Sequence, residues 1–240
     1  MIPAYNESDN INRTLHNILK HVNSSNEILV VVDNDGDTTI QAVENEFSGV
    51  NNVKVLVQDF GPGPANAIRY GIVKAQGNCL VVTMADGSDD VRLIDDLCDL
   101  VERGCAVAAA SRYMPGGAQI GGPRFKKFLS KSAGKSLYLL TGVGTRDATN
   151  SYKAYQADFV RSVGITSSSG FEIGIELVAK AHRAGLPIAE LPTIWLDRTI
   201  GESRFQITKL IPNYFYWYRF AFGKKLQTCE IAKKKNRGNA

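Results

Sequence analysis

Four short runs of apolar residues, many of them β-branched, stand at positions 28–32, 53–57, 80–83 and 106–110, and between them apolar positions recur every three or four residues. Short apolar runs read as buried strands and the longer 3.6-periodic stretches as helices, so the alternation predicts parallel βαβ units. Ile11, Leu15, Ile18, Leu19 and Val22 form one stripe of a first helix, with Ser8 or Asp9 placed to cap it. Pro64 sits where a helix begins, because the first turn tolerates a residue without an N–H. Residues 188–194 read as a further strand. Ahead of the Pro3-Ala4-Tyr5-Asn6 turn only Met1 and Ile2 are available, where a strand usually has about five or six residues, so the first strand is expected to be short.

In an open α/β sheet, ligands bind beyond the carboxyl ends of the strands. Two acidic loops fall there. Asp33-Asn34-Asp35-Gly36-Asp37 follows the 28–32 run, where a carboxylate can accept hydrogen bonds from a base or ribose, or can simply cap the next helix. Met84-Ala85-Asp86-Gly87-Ser88-Asp89-Asp90 gathers three carboxylates within five residues, the oxygen ligands a hard divalent cation such as Mg2+ or Mn2+ prefers. Such a cation neutralises the charge that builds on a departing diphosphate. The alternative use of Asp89 and Asp90 is again helix capping. A third turn, Gly61-Pro62-Gly63-Pro64-Ala65-Asn66, resembles a dinucleotide-binding turn and raises an NAD-type oxidoreductase as a rival. Pro62 and Pro64 have no N–H to offer a pyrophosphate, and Asn66 occupies the third glycine position, so a plain helix start fits better.

Composition narrows the class. At 240 residues and 44% hydrophobic content the chain can bury one substantial core and reads as globular and soluble. No apolar run reaches the eighteen or so residues of a membrane span, and the first residues do not resemble a secretory signal, so a cytoplasmic body is expected. Cys79, Cys98, Cys105 and Cys229 are scattered, which predicts reduced, mostly buried thiols. The net charge of +4 is uneven, since residues 204–240 hold nine Lys or Arg against the single acid Glu230 and so carry +8, leaving −4 on the rest. A mildly acidic body with a basic tail suggests an anionic surface as partner, lipid or nucleic acid.

The tail favours lipid. Phe205, Ile207, Leu210, Ile211, Tyr214, Phe215, Tyr216, Trp217, Tyr218, Phe220 and Phe222 crowd beside Lys209, Arg219, Lys224 and Lys225, and aromatic rings with basic neighbours suit a membrane interface. A homo-oligomer interface, or a helix docked on the chain's own core, would use the same residues. Nucleic acid is not expected, because the rest of the chain has no basic groove. Upstream, Ser111-Arg112-Tyr113 and a glycine-rich stretch lead to Arg124, Lys126, Lys127 and Lys131, cations suited to a phosphate or to a solvated helix face. Residues 196–204 read as an exposed turn carrying Arg198 and Arg204.

Taken in order, these segments resemble family 2 glycosyltransferases, in particular the dolichol-phosphate mannosyltransferase-like, polyprenyl-phosphate group. The matching stretches are Ile2-Pro3-Ala4-Tyr5-Asn6-Glu7, Val32-Asp33 through Asp37-Thr38-Thr39, residues 65–77, Ala85-Asp86, Ser111-Arg112-Tyr113, Arg146-Asp147-Ala148-Thr149, residues 171–176, and Arg198 with Gly201, Ser203 and Arg204. The resemblance runs from Ile2 to about Phe222. It implies a single-domain α/β GT-A fold, a Rossmann-like, mostly parallel sheet flanked by helices, spanning residues 1–203, with a C-terminal amphipathic aromatic helix and tail over 204–240.

The resemblance also implies roles. Pro3, Ala4, Tyr5, Glu7, Asp33, Ala85, Asp86 and Arg204 would hold the donor nucleotide, and Asp86, Ser88 and Asp89 the Mg2+ or Mn2+ on its diphosphate. Arg112, Lys126 and Ser130 would hold the phosphate of a polyprenyl or dolichyl acceptor, and Arg198 with Arg204 would close over the donor. Asp86, Arg112, Lys126 and Arg198 would then carry catalysis, with Asp147 and Glu176 orienting Lys126 or Arg112. The implied reaction moves a hexose from a nucleotide-sugar of the GDP-mannose or UDP-glucose type, by single displacement with inversion, at the cytoplasmic membrane face. Two positions depart from the pattern. Lys126 replaces a more usual Arg, and Met84 occupies the first place of an Asp-Ala-Asp metal motif, where a thioether cannot act as a carboxylate would. A silent, non-catalytic GT-A scaffold is the second rival.

Overall fold

The computed structural model describes residues 1–197 and 207–233. Parallel strands β1 (Ile2–Pro3), β2 (Ile28–Val32) and β3 (Val53–Val57) lie in the order β1-β2-β3. Strands β4 (Cys79–Val82), β5 (Val107–Ser111), β7 (Lys153–Gln156) and β8 (Ile188–Pro192) lie in the order β4-β7-β5-β8, with β7 antiparallel to both neighbours. Backbone bonds from the Met1 nitrogen to Val81 O (3.0 Å) and from Thr83 N to Met1 O (3.1 Å) join the two groups through β1. The first strand has two residues, both buried, and it ends on Pro3, where the missing N–H breaks no ladder.

Helices cover both faces, which is why the strand pattern is continuous rather than alternating. Ile28, Val30 and Val32 of β2, and Ala108 and Ala110 of β5, face a core built with Ile11, Leu15, Ile18, Val43, Phe47 and Leu97. Those residues belong to α1 (Ile11–His21), α2 (Thr38–Phe47) and α4 (Ile94–Glu102). On the other face Val107 packs with residues of α3 (Pro64–Lys74), α6 (Ala157–Val163) and α7 (Ile173–Ala184). Long α5 (Arg124–Thr141) and α8 (Ile207–Ala221) pack on one another, and the short α9 (Thr228–Lys233) lies on α6 and α7.

Helix α1 is capped by neither Ser8 nor Asp9; Asn10 holds the N-cap position without a side-chain bond, and Leu19 stays 37% exposed. The 188–194 run is two strands, because Pro192 ends β8 and Thr193 redirects the chain into β9 (Ile194–Leu196), which pairs with β6 (Ala118–Ile120). Cys79, Cys98 and Cys105 are free thiols but only half-buried. The junction between residues 203 and 204 lies outside the described residues. Among the described residues no helix is long and apolar enough to cross a membrane.

Candidate active site

The carboxyl ends of β1 and β2 build one wall. Pro3 and Ala4 are buried there, with Ala4 N bonded to Val31 O (2.9 Å), and Tyr5 is half-exposed beside them. Asn6 adopts a left-handed φ of 51°. Asp37 fixes this turn, accepting from Asn6 N at 3.0 Å with both oxygens while also capping α2 through Thr39 N (2.9 Å); Glu7 N donates to Thr39 Oγ1 (3.0 Å). Asp33 accepts from Gln58 Nε2 (3.0 Å) and Gly63 N (2.9 Å), tying the end of β2 to the turn before α3. Gly63, at φ 117°, therefore spends its N–H inside the protein, and α3 does start at Pro64. The turn offers no dinucleotide cradle.

The loop after β4 carries the acids at different depths. Thr14 Oγ1 and an Arg13 guanidinium nitrogen on α1 donate to Ala85 O (2.8 Å) and Asp86 O (3.3 Å), which holds the loop from behind. Asp86 Oδ1 accepts from Ser88 N (3.0 Å) across Gly87, whose φ of 70° suits the tight turn. Asp89 points inward, accepting from Thr83 Oγ1 (3.1 Å) and Met84 N (3.0 Å), and burial together with the Asp86 charge pushes its carboxyl up to about 7. Asp90 caps the single turn Val91–Leu93 and pairs with exposed Arg92, so the capping alternative holds for this residue. Among the described residues no three His, Cys, Asp or Glu side chains form a ready metal cage. The donor set of Asp86, the Ser88 hydroxyl and Asp89 is nevertheless all oxygen, and it suits a divalent cation that takes its remaining ligands from phosphates.

The third wall collects cations. Arg112, just past β5, is gripped by Asp147, which accepts from its Nε (2.7 Å), a terminal nitrogen (2.9 Å) and its backbone N (3.0 Å). The pair is buried, with side-chain exposures of 12% and 0%. Burial alone would pull the guanidinium pKa down, but the Asp147 charge and hydrogen bonds hold it above its ordinary value. Arg112 also donates to Ser130 Oγ (3.2 Å) on α5. Gly134, one turn further along, lets α5 approach closely, since a Cβ there would stand 2.2 Å from Arg146 O. Lys126, four residues before Ser130, shares its helix face. Asp89 feels the Arg112 charge, and Lys153 feels Asp147, Arg112 and Asp89 in turn, so the acidic loop and the cationic wall lie within one another's field.

Asp147 thus orients Arg112, as the sequence suggested. Glu176 does not: it accepts from Thr166 N (2.7 Å), Thr166 Oγ1 (2.7 Å), Ser167 N (2.9 Å) and Lys180 Nζ (2.5 Å), and is a buried staple of the loop before α7. Arg198 and Arg204 lie outside the described residues. Several features escaped the sequence reading. Lys153 is fully buried, donates to Ala148 O (3.3 Å) and Asn150 O, and is pulled by burial down to about 7. Glu172 is 1% exposed at the start of α7, with Oε1 accepting from Ser169 N (3.1 Å). Phe125, Phe128, Leu139 and Leu140 stand exposed on α5, in two apolar patches at its ends that Ser132 and Lys135 separate, so no continuous apolar period marked them in the sequence. On α8, Trp217 and Ala221 are buried while Ile211, Phe215 and Tyr216 are exposed, so this helix docks on the core and still presents an apolar outer side.

Residues 1–164 match the family described as glycosyl transferase family 2. Polyprenol monophosphomannose synthase of Mycolicibacterium smegmatis is 30% identical over 210 residues, 85% of this chain and 79% of its own. Undecaprenyl-phosphate mannosyltransferase of Micrococcus luteus is 28% identical over 226 residues, covering 90% and 92%. Dolichol-phosphate mannosyltransferase of Pyrococcus furiosus is 28% identical over 222 residues, covering 91% of this chain and 62% of its own. In fold, glucosyl-3-phosphoglycerate synthase from Mycobacterium tuberculosis in complex with UDP superposes with a TM-score of 0.68 at 15% identity over 93% of this chain and 79% of its own. The same enzyme with Mg2+ and UDP gives 0.67 at 16% identity, over 93% and 78%.

Proposed function

The chain belongs to glycosyl transferase family 2, and from that premise we propose that it transfers a hexose from a nucleotide-sugar to a polyprenyl or dolichyl phosphate at a membrane surface. The observation that carries this reading is a buried guanidinium, Arg112, clasped by Asp147 and bonded to Ser130, near enough to the acidic loop for its charge to act on Asp89. A donor diphosphate needs its charge met at the acidic loop, and an anionic acceptor needs a cation such as Arg112. The three relatives named above, with polyprenol, undecaprenyl-phosphate and dolichol-phosphate in their names, support the acceptor class.

A lipid phosphate is already an anionic nucleophile, so general-base help is small and catalysis becomes positioning plus charge neutralisation. Asp33 and the turn from Pro3 to Glu7 hold the nucleotide, with Ala85 at the floor. Asp147 fixes the Arg112 fork so that little freedom is lost when a phosphate arrives, and Ser130 with Lys126 adds donors from the neighbouring helix. Mg2+ or Mn2+ bound by Asp86, with Ser88 and Asp89 nearby, would supply neutralisation of the leaving diphosphate. Arg198 and Arg204 are assigned to closure over the donor by the family resemblance alone. The expected course is inversion at the sugar.

For the membrane, the exposed apolar side of α8 and the exposed apolar patches of α5 lie on helices packed together, joined by Tyr218 OH donating to Ser136 Oγ (3.0 Å). Helix α5 carries five cations and no acid, which suits an anionic leaflet and the cytoplasmic face. Calorimetric titration with GDP-mannose and UDP-glucose in the presence of Mn2+, followed by transfer to a short polyprenyl phosphate, tests the whole reading. Binding of one donor and turnover is the expected result. A protein that binds neither is the silent scaffold.

A further inference from the structure

Strand β4 opens on Cys79, and helix α4, which packs on it, carries Cys98. Both side chains are half-buried against the core that holds Leu97 and Val101, so they are fixed in place and still meet solvent. Cys79 Sγ donates to Cys98 Sγ across 3.1 Å. A disulfide bond is about 2 Å long, so the sulfurs have only about 1 Å to close. The hydrogen bond holds the Cys98 thiol below its ordinary range, against burial and against the acids Asp95, Asp99 and Glu102 of its own helix. The same bond pushes the Cys79 thiol up, and burial adds to it. The two sulfurs therefore differ in role: Cys98 is the thiolate that can attack, and Cys79 keeps the proton. Cys105 is also half-buried, but only burial shifts its thiol, upward.

We propose that Cys79 and Cys98 form an oxidative modification site, a dithiol that low-molecular-weight disulfides convert reversibly to an intrachain disulfide. The Cys98 thiolate attacks one sulfur of oxidised glutathione, forming a mixed disulfide and releasing one glutathione thiolate. Cys79 then loses its proton to solvent and attacks Cys98 Sγ, which forms the Cys79–Cys98 bond and releases the second glutathione thiolate. The protein gives up two electrons and two protons, the two electrons going to the glutathione disulfide. The new bond closes a ring of twenty residues, from Cys79 to Cys98, at the end of β4 away from the acidic loop. Asp86 and Asp89 lie inside that ring, so oxidation laces the open end of the βα unit that presents them. Such a cross-link removes freedom from the unfolded chain and raises thermal stability. The inference holds whatever sugar or acceptor the site takes.

The test treats the full chain with excess oxidised glutathione, then alkylates it, digests it with trypsin and weighs the fragments. Trypsin cuts after Lys74, Arg92 and Arg103, so the two cysteines leave on separate fragments, 75–92 and 93–103, unless they are bonded. The expected result is these two fragments linked with two hydrogens lost, an unfolding midpoint about 5 °C higher, and reversal of both by dithiothreitol. Cys98→Ser and Cys79→Ser should each abolish the link and the shift, whereas Cys105→Ser should leave both; the native chain decides alone if a variant fails to fold. Glutathione retained on Cys98 without the link overturns the proposal, and so does bonding of either cysteine to Cys105 or Cys229. A link that forms only in urea also overturns it, since the folded chain would then not bring the sulfurs together. A linked chain with an unchanged midpoint overturns the lacing of the acidic segment.

Discussion

Arg112 and Asp147 illustrate how one buried pair can serve stability and chemistry at once. Removing one partner of such a pair leaves the other charge uncompensated, so Asp147→Asn should lower unfolding free energy by about 3 kcal/mol in urea titrations. Arg112→Lys retains charge but loses the fork, and should raise the acceptor KM about tenfold in transfer assays with a smaller effect on donor binding. Met84 leaves its loop one carboxylate short, and Met84→Asp should lower the Mn2+ concentration for half-maximal donor binding by about tenfold. Lys153 makes a pH prediction. Its folded pKa of about 7 lies below the model-peptide value of 10.5, so between those limits the unfolded chain holds the extra proton and stability contributed by this group rises with pH. Native protein should therefore gain stability relative to Lys153→Met from pH 7 to 10 in denaturant titrations. Asp86 and Arg112 were legible in the sequence because their types and loop positions state their chemistry. Lys153 and Glu172 were not, because solvent exclusion exists only once distant segments have packed.

Elements with a repeating pattern were readable, and their ends were not. The stripe of α1 and the runs of β2 and β3 declare themselves, whereas the α1 cap depended on where Glu7 O could receive the Asn10 and Ile11 amides. The split of β8 from β9 required Ser111 and Ala118 as backbone partners for Thr193. Helix α5 was half read: its cations were noticed and its exposed apolar patches were not, since Phe125 and Phe128 are interleaved with Lys126 and Lys127. Phe125→Glu combined with Phe128→Glu should weaken flotation with anionic vesicles about tenfold or more, each buried ring contributing roughly 1.5–3 kcal/mol, while leaving thermal unfolding unchanged. This double substitution is a cleaner probe than removing the chain after residue 203, because truncation would strip Trp217 from the core.

For the whole molecule, the alternation of strands and helices predicted both the α/β class and the edge at which the acids gather. It gave no warning of β7, whose four residues, Lys153–Gln156, run against their neighbours. That reversal matters. In a uniform parallel sheet only chain segments leaving the strands reach the binding edge, but here a segment entering a strand is delivered there as well, and it brings Asp147 to meet Arg112. The contact spans 35 positions of sequence and encloses the whole of α5. The helix is thus a tether fastened at both ends by a single clasp, and any anion competing for the guanidinium would slacken the same stretch of chain that carries the exposed Phe125 and Phe128.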